Sequence, residues 1–145
     1  MKAFMYLSSL LILGCVTAGC GDNAVTTPSP ALSAKFTATL LPASEVPPVS
    51  GSEAGGSGTA TLTFNLTRDS GGNTTAATMD VTVTATGFPP GTALTASHIH
   101  PGIAGVNGGV LVSLGLAPGE VTFASGGGSF TKQGLTMTVD QANSI

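Results

Sequence analysis

Between residues 57 and 66 the chain alternates without a break. Ala60, Leu62, Phe64 and Leu66 fall on one side, and Thr59, Thr61, Thr63 and Asn65 on the other. Successive side chains of an extended strand point to opposite faces, so a period of two predicts a strand with one buried and one wet face. The pattern recurs over residues 78–86, where Met79, Val81, Val83 and Ala85 alternate with Thr78, Asp80, Thr82 and Thr84. It returns in shorter form at Val110, Val112 and Leu114, and again at Leu135, Met137 and Val139. Weaker alternation over residues 35–41, 94–100, 120–124 and 128–132 brings the count to about eight strands and leaves no helix.

Turn-forming clusters separate these runs: Asp69-Ser70-Gly71-Gly72-Asn73, Pro89-Pro90-Gly91, Pro101-Gly102 and Ala117-Pro118-Gly119. Glycine and asparagine supply positive φ there, and proline fixes φ near −65°. Short strands punctuated in this way predict an all-β fold, an antiparallel Greek-key-like β-sandwich of about seven to eight strands. Two connections, residues 42–56 and 101–108, exceed ordinary hairpin loops. Long loops carried on a rigid sandwich are where binding usually resides.

Composition narrows the partners. Charged residues make up 8% of the chain, and four basic side chains within a net charge of −3 leave no basic patch for phosphate backbones. Nucleic acid is thereby excluded as an expected partner. The N-terminus opens with Lys2, runs apolar from Ala3 to Leu13 and turns to small residues before Cys20, the order of a secretory signal. Val16-Thr17-Ala18-Gly19-Cys20 has the form of a bacterial lipobox, with cleavage before a cysteine that carries lipid. A competing site at Gly14-Cys15 leaves a shorter apolar run. The expected organisation is a signal peptide over 1–19, lipidation at Cys20, a flexible tether over 20–33 and one domain over 34–145. Cys15 leaves with the signal, so no disulfide is expected. Membrane attachment through the lipid follows, and with Asp22 two residues beyond Cys20 the favoured address is the outer membrane or cell surface.

The chain has two histidines, His98 and His100, one residue apart and directly before a Pro and Gly run. On a strand both imidazoles share one side with Leu94 and Ala96, while Ile99 takes the other. Such a pair can serve three ends. It can offer two nitrogens to a Cu or Zn ion, for which Asp80, Glu45, Glu53, Asp140, Met79 or Met137 would have to complete the ligand set. It can pin the glycine loop that follows by hydrogen bonds to its backbone. Acid/base catalysis would need an orienting carboxylate and a nucleophile, and no such constellation is readable, so no enzymatic activity is expected. Alternation alone leaves open whether Ile99 or the imidazoles face the core. Met79 and Met137 sit among alternating apolar positions and read as core.

Leu41-Pro42-Ala43-Ser44-Glu45-Val46-Pro47-Pro48-Val49, Gly58-Thr59-Ala60-Thr61-Leu62, Ala96-Ser97-His98-Ile99-His100 and Gly105-Val106-Asn107-Gly108-Gly109-Val110 together resemble the CHRD domain family, named from chordin. The resemblance runs from about Ala34 to the end. It implies an extracytoplasmic β-sandwich with a binding or interaction role, protein or glycan being the candidate partners, and no assigned enzymatic activity. On this reading Glu45, Pro47, Pro48, Asn107 and Gly108 form the binding or scaffold surface, and the Pro-Pro step is expected along a sheet edge. Relatives continue into a last strand with a further histidine in an Asn-Val-His-Thr context. This chain stops at Asn143-Ser144-Ile145, so the expected domain lacks that strand. The expected function is a membrane-anchored binding module. The alternatives are a Cu or Zn binding protein using His98 and His100, and a purely structural envelope lipoprotein.

Overall fold

The computed structural model describes residues 31–103 and 106–145. Cys20, the signal segment and most of the expected tether lie outside the described residues. Within them eight strands follow in chain order: β1 (Leu32–Leu40), β2 (Ser57–Arg68), β3 (Thr74–Thr86), β4 (Thr92–Ala93), β5 (His98–Ile99), β6 (Val112–Ser113), β7 (Thr122–Phe123) and β8 (Gly128–Met137). One short helix, α1 (Val139–Asn143), closes the series. The architecture is all-β, antiparallel and sandwich-like. One layer is a four-stranded sheet in the order β1-β2-β3-β8, and the other consists of two ribbons, β4 with β7 and β5 with β6.

Register explains the core. Leu62, Phe64 and Leu66 stand opposite Val81, Met79 and Ala77, so the apolar halves of the two clearest alternating runs share one face. The Thr halves share the other, and the Thr82 and Thr131 hydroxyls lie 3.1 Å apart on it. The ribbons close over the apolar face, where Val112 and Leu114 join Phe64, Met79, Val81 and Met137 in a continuous cluster. Met79 is 0% exposed, Val81 2% and Phe123 2%. Each such side chain contributes on the order of 1.5–3 kcal/mol by leaving water.

Three features differ from the sequence pattern. The runs at 128–132 and 135–139, expected as two strands, are one strand, β8, with a bulge. Its register against β3 shifts between Met79 and Val81, so Gln133 and Gly134 together face Asp80. The extra residue changes the phase of alternation, which is why Phe130 and Lys132 share a face with Leu135 and Met137. Gly134 has φ +63°, a conformation that suits glycine, and Asp80 accepts its N–H at 2.8 Å.

Val139, expected at a strand end, instead opens α1. Thr138 and Gln141 form a capping box there, and Gln141 Nε2 donates to the Leu111 carbonyl at 2.6 Å. The helix thus ties the chain end to the β5–β6 ribbon. The expected strands over 94–100, 110–114 and 120–124 shrink to two residues each. Proline and glycine interrupt their ladders, and single bonds such as Leu114 N–H to Ser97 O at 2.9 Å extend them.

Candidate functional site

One rung across the large sheet runs Leu40, Gly58, Ala85, Gly128, and the next runs Ala38, Ala60, Val83, Phe130. The small residues of these rungs leave a hollow on the apolar face that the second layer does not fill. A cavity of about 560 Å³ opens there. Its floor is the buried set Val83, Ala85 and Phe123, with Phe130 beside them. A β-carbon on Gly128 would lie 3.2 Å from the Phe123 ring, so the ring lies against the bare backbone at that rung. Leu40, Leu41, Pro47 and Val49 form one wall, and residues 94–98 with His100 form the other. Glu45, Glu53, His98 and His100 are exposed and make the polar rim.

The β1–β2 connection supplies Glu45 and Pro47. Two 3-10 turns, Pro42–Ser44 and Gly51–Gly55, shape it, and Val49 N–H closes it onto the Pro42 carbonyl at 3.0 Å. The Val46–Pro47 peptide is cis. Pro47 and Pro48 pair with no strand, so the Pro-Pro step stands in this folded-back connection and not along a sheet edge. Pro47 faces the cavity. Pro48 is not among its lining residues.

The histidine segment supplies the opposite wall. Ile99 takes the core side, packing against the central cluster, and both imidazoles face outward. Their rings meet edge to face with centroids 6.0 Å apart. His100 Nδ1 lies 2.9 Å from the Gly108 carbonyl and 3.1 Å from the Gly109 carbonyl. Carbonyl oxygens only accept, so Nδ1 carries a proton and donates. This clip holds Gly108 and Gly109 against the end of β5. Gly108 fits because a β-carbon there would run into the Pro101 carbonyl.

A second hollow of about 300 Å³ lies behind the clip, lined by Glu45, Val46, His100, Pro101, Asn107 and Gly108 among others. Glu45 and His100 line both hollows. The structure therefore brings Glu45, Pro47, His98, His100, Asn107 and Gly108 to one end of the molecule, and Pro48 into the same connection.

The residues considered as further metal ligands divide. Met79 and Met137 are core, at 0% and 4% exposure. Asp80 is bound to the bulge on the Thr-bearing face, and Asp140 sits in the first turn of α1. Glu45 and Glu53 share the cavity with the imidazoles. Among the described residues no three His, Cys, Asp or Glu side chains gather closely enough to hold a metal ion. The sequence pattern gives Ala85 as an apolar strand position but does not mark Ala85, Phe123 or Phe130 as site residues. Their only signal was glycine inside strands, at Gly58 and Gly128, which marks a place where something approaches the sheet closely.

A model of the CHRD domain matches residues 36–144. Neither a curated protein nor a solved structure matches the chain.

Proposed function

The chain belongs to the CHRD domain family, and from that premise we propose that it is a lipid-anchored, extracytoplasmic binding module without enzymatic activity, whose ligand seat is the larger cavity. The observation that carries this reading is the cavity's make-up: an apolar floor of Val83, Ala85, Phe123 and Phe130 under a rim of two carboxylates and two imidazoles. Hollows of this size with few convergent polar groups are what ligand sites look like. An apolar group bearing a cation fits it, the group buried on the floor and the charge near Glu45 and Glu53. An aromatic or aliphatic side chain of a partner protein flanked by a basic residue has that chemistry. A glycan, which asks for many hydrogen bonds, suits this floor less well.

Anchoring rests on the lipobox ending at Cys20. Each buried methylene of an attached acyl chain contributes about 0.8 kcal/mol, and two or more chains hold a protein on a membrane stably.

Tryptamine, an indole carrying an ammonium group, tests the seat. The chain has no tryptophan, so indole anisotropy reports binding without background. The chain from residue 20 with Cys20→Ser should bind it with a Kd of about 1 mM, in line with the free energy a ligand of this size gains. Ala85→Phe, which fills the floor, should abolish binding, and the anionic counterpart indole-3-propionate should bind more weakly. Equal binding by parent and Ala85→Phe would overturn the assignment.

A second reading, Cu or Zn binding at His98 and His100, is favoured by the clip on His100. Metal-ligating imidazoles characteristically donate their other N–H to a carbonyl, as Nδ1 does here. The donor set does not amount to a closed four-ligand site, so the affinity expected is that of two imidazoles with the remaining positions exchangeable. Calorimetric titration with Cu(II), run beside a His98→Ala, His100→Ala variant, separates the readings. Heat lost in the variant supports it, and no heat in the parent refutes it.

A further inference from the structure

The apolar face of β1 reads the same in both directions. Along it stand Leu32, Ala34, Phe36, Ala38 and Leu40, all on the side that the large sheet turns to the core. Yet the second layer does not reach them. Leu32 is 45% exposed, Phe36 50% and Leu40 40%. Phe36 is held upright by an edge-to-face contact with Phe64, ring centroids 5.5 Å apart.

The strand is also an unguarded edge. Among the described residues β1 pairs on its β2 side alone. Nine residue pairs run from Leu32 to Leu40 without a register shift. It contains no proline and one charge, Lys35. Exposed, flat, apolar edges invite strand addition, and proteins that avoid it insert bulges, prolines or charges. The opposite edge, β8, has its bulge at Gln133 and Gly134. On β1 the only such device is Lys35.

We infer that two copies of this chain pair antiparallel through β1, about a two-fold axis at Phe36, to make one continuous sheet of eight strands. A two-fold interface must be self-complementary, and the palindrome supplies this. Phe36 meets the partner's Phe36, Leu32 meets the partner's Leu40, and Ala34 meets the partner's Ala38. Large faces large and small faces small along the whole strand. A slip by two residues would set Phe36 against alanine and leave a terminal leucine unopposed, so one register is preferred. On the outer face Lys35 stands opposite the partner's Thr37 and Ser33 opposite the partner's Thr39, with no like charges directly opposed. Of the β1 residues, Leu40 alone lines the ligand seat proposed above, so the pairing does not depend on that seat.

Thr37 provides the test, because its side chain is exposed and lies across from the partner's Lys35. Thr37→Lys places two like-charge pairs directly across the axis, and Thr37→Glu places two opposite-charge pairs there. Sedimentation equilibrium of the full chain in density-matched detergent should find the parent dimeric at micromolar concentration. Thr37→Lys should weaken the dimer about tenfold and Thr37→Glu should tighten it, each cross-strand pair acting twice. High salt should shrink both differences. Damage to the monomer cannot shift association in opposite directions, so the paired variants separate misfolding from a contact at this position. A parent monomeric up to about 100 μM, as would follow if another protein or another segment of this chain covered β1, overturns the inference. So does a dimer indifferent to both substitutions.

Discussion

At the scale of single residues, the histidine segment is governed by two backbone contacts. His100 holds the Gly108 and Gly109 carbonyls, and Gly108 lies against the Pro101 carbonyl. Gly108→Ala should cost about 1–3 kcal/mol, the range for a substitution that forces backbone apart, read as a lowered urea midpoint with an unchanged slope. His100→Ala removes an exposed hydrogen bond worth about 0.5–1.5 kcal/mol, and its effect is local. Amide exchange at Leu111, whose N–H bonds the Ile99 carbonyl at 2.8 Å, should quicken several-fold in His100→Ala and stay unchanged in His98→Ala.

Asp69 offers a pH test at the same scale. The Asn73 side chain and backbone donate to its carboxylate and hold it below the usual aspartate range. A depressed folded value means the carboxylate's contribution is present above the ordinary aspartate pKa and is lost as pH falls through the lowered folded one. The Asn73 amide signal should therefore titrate with a midpoint below that of an unstructured aspartate, near 3.9. A midpoint at or above that value would refute the contact. Alternation placed the imidazoles and Ile99 on opposite sides but could not choose between them. The choice follows from Val112 opposite Ile99 and the core behind it, a tertiary fact.

At the scale of elements, the bulge in β8 shows how one residue can hide a strand. The apolar positions Phe130, Leu135 and Met137 break phase at Gln133 and Gly134, and a strict period of two reads them as two strands. Asp80→Ala removes the acceptor for Gly134 N–H, and chemical denaturation should show a loss of about 1–2 kcal/mol. An unchanged midpoint would mean that backbone geometry alone holds the bulge. β1, β2 and β3 were legible because each has a long run with one buried and one wet face. The second layer was less so, since strands of two residues carry too few positions for a period. The helix had a readable signature, Thr138-Val139-Asp140-Gln141, the spacing of a capping box. A period of two competes with it there, because Leu135, Met137 and Val139 also alternate.

At the scale of the whole fold, the described residues form a sheet whose apolar face is covered over its middle and, among those residues, open at two places. One opening is the cavity beneath Glu45 and the histidines, and the other is the outer edge at β1. Both arise from side-chain size along rungs of the sheet. Gly58, Ala85 and Gly128 thin one end, while Leu32, Phe36 and Leu40 stand uncovered at one edge. Rungs join residues far apart in sequence, so the cavity floor could not be read along the chain, although Glu45, Pro47, His98 and His100 on its walls could. Their meeting at one end depends on the excursion between β3 and β8 that carries the histidines back over the β1–β2 connection.

A ¹⁵N NMR titration of the chain from residue 20, Cys20→Ser, with tryptamine tests whether the cavity seats a ligand. Saturable shifts at Glu45, Ala85, His98, His100 and Phe123 that fit one dissociation constant are the predicted result. Shifts confined to the Thr-bearing face of the sheet, or no saturable shifts at all, would contradict it.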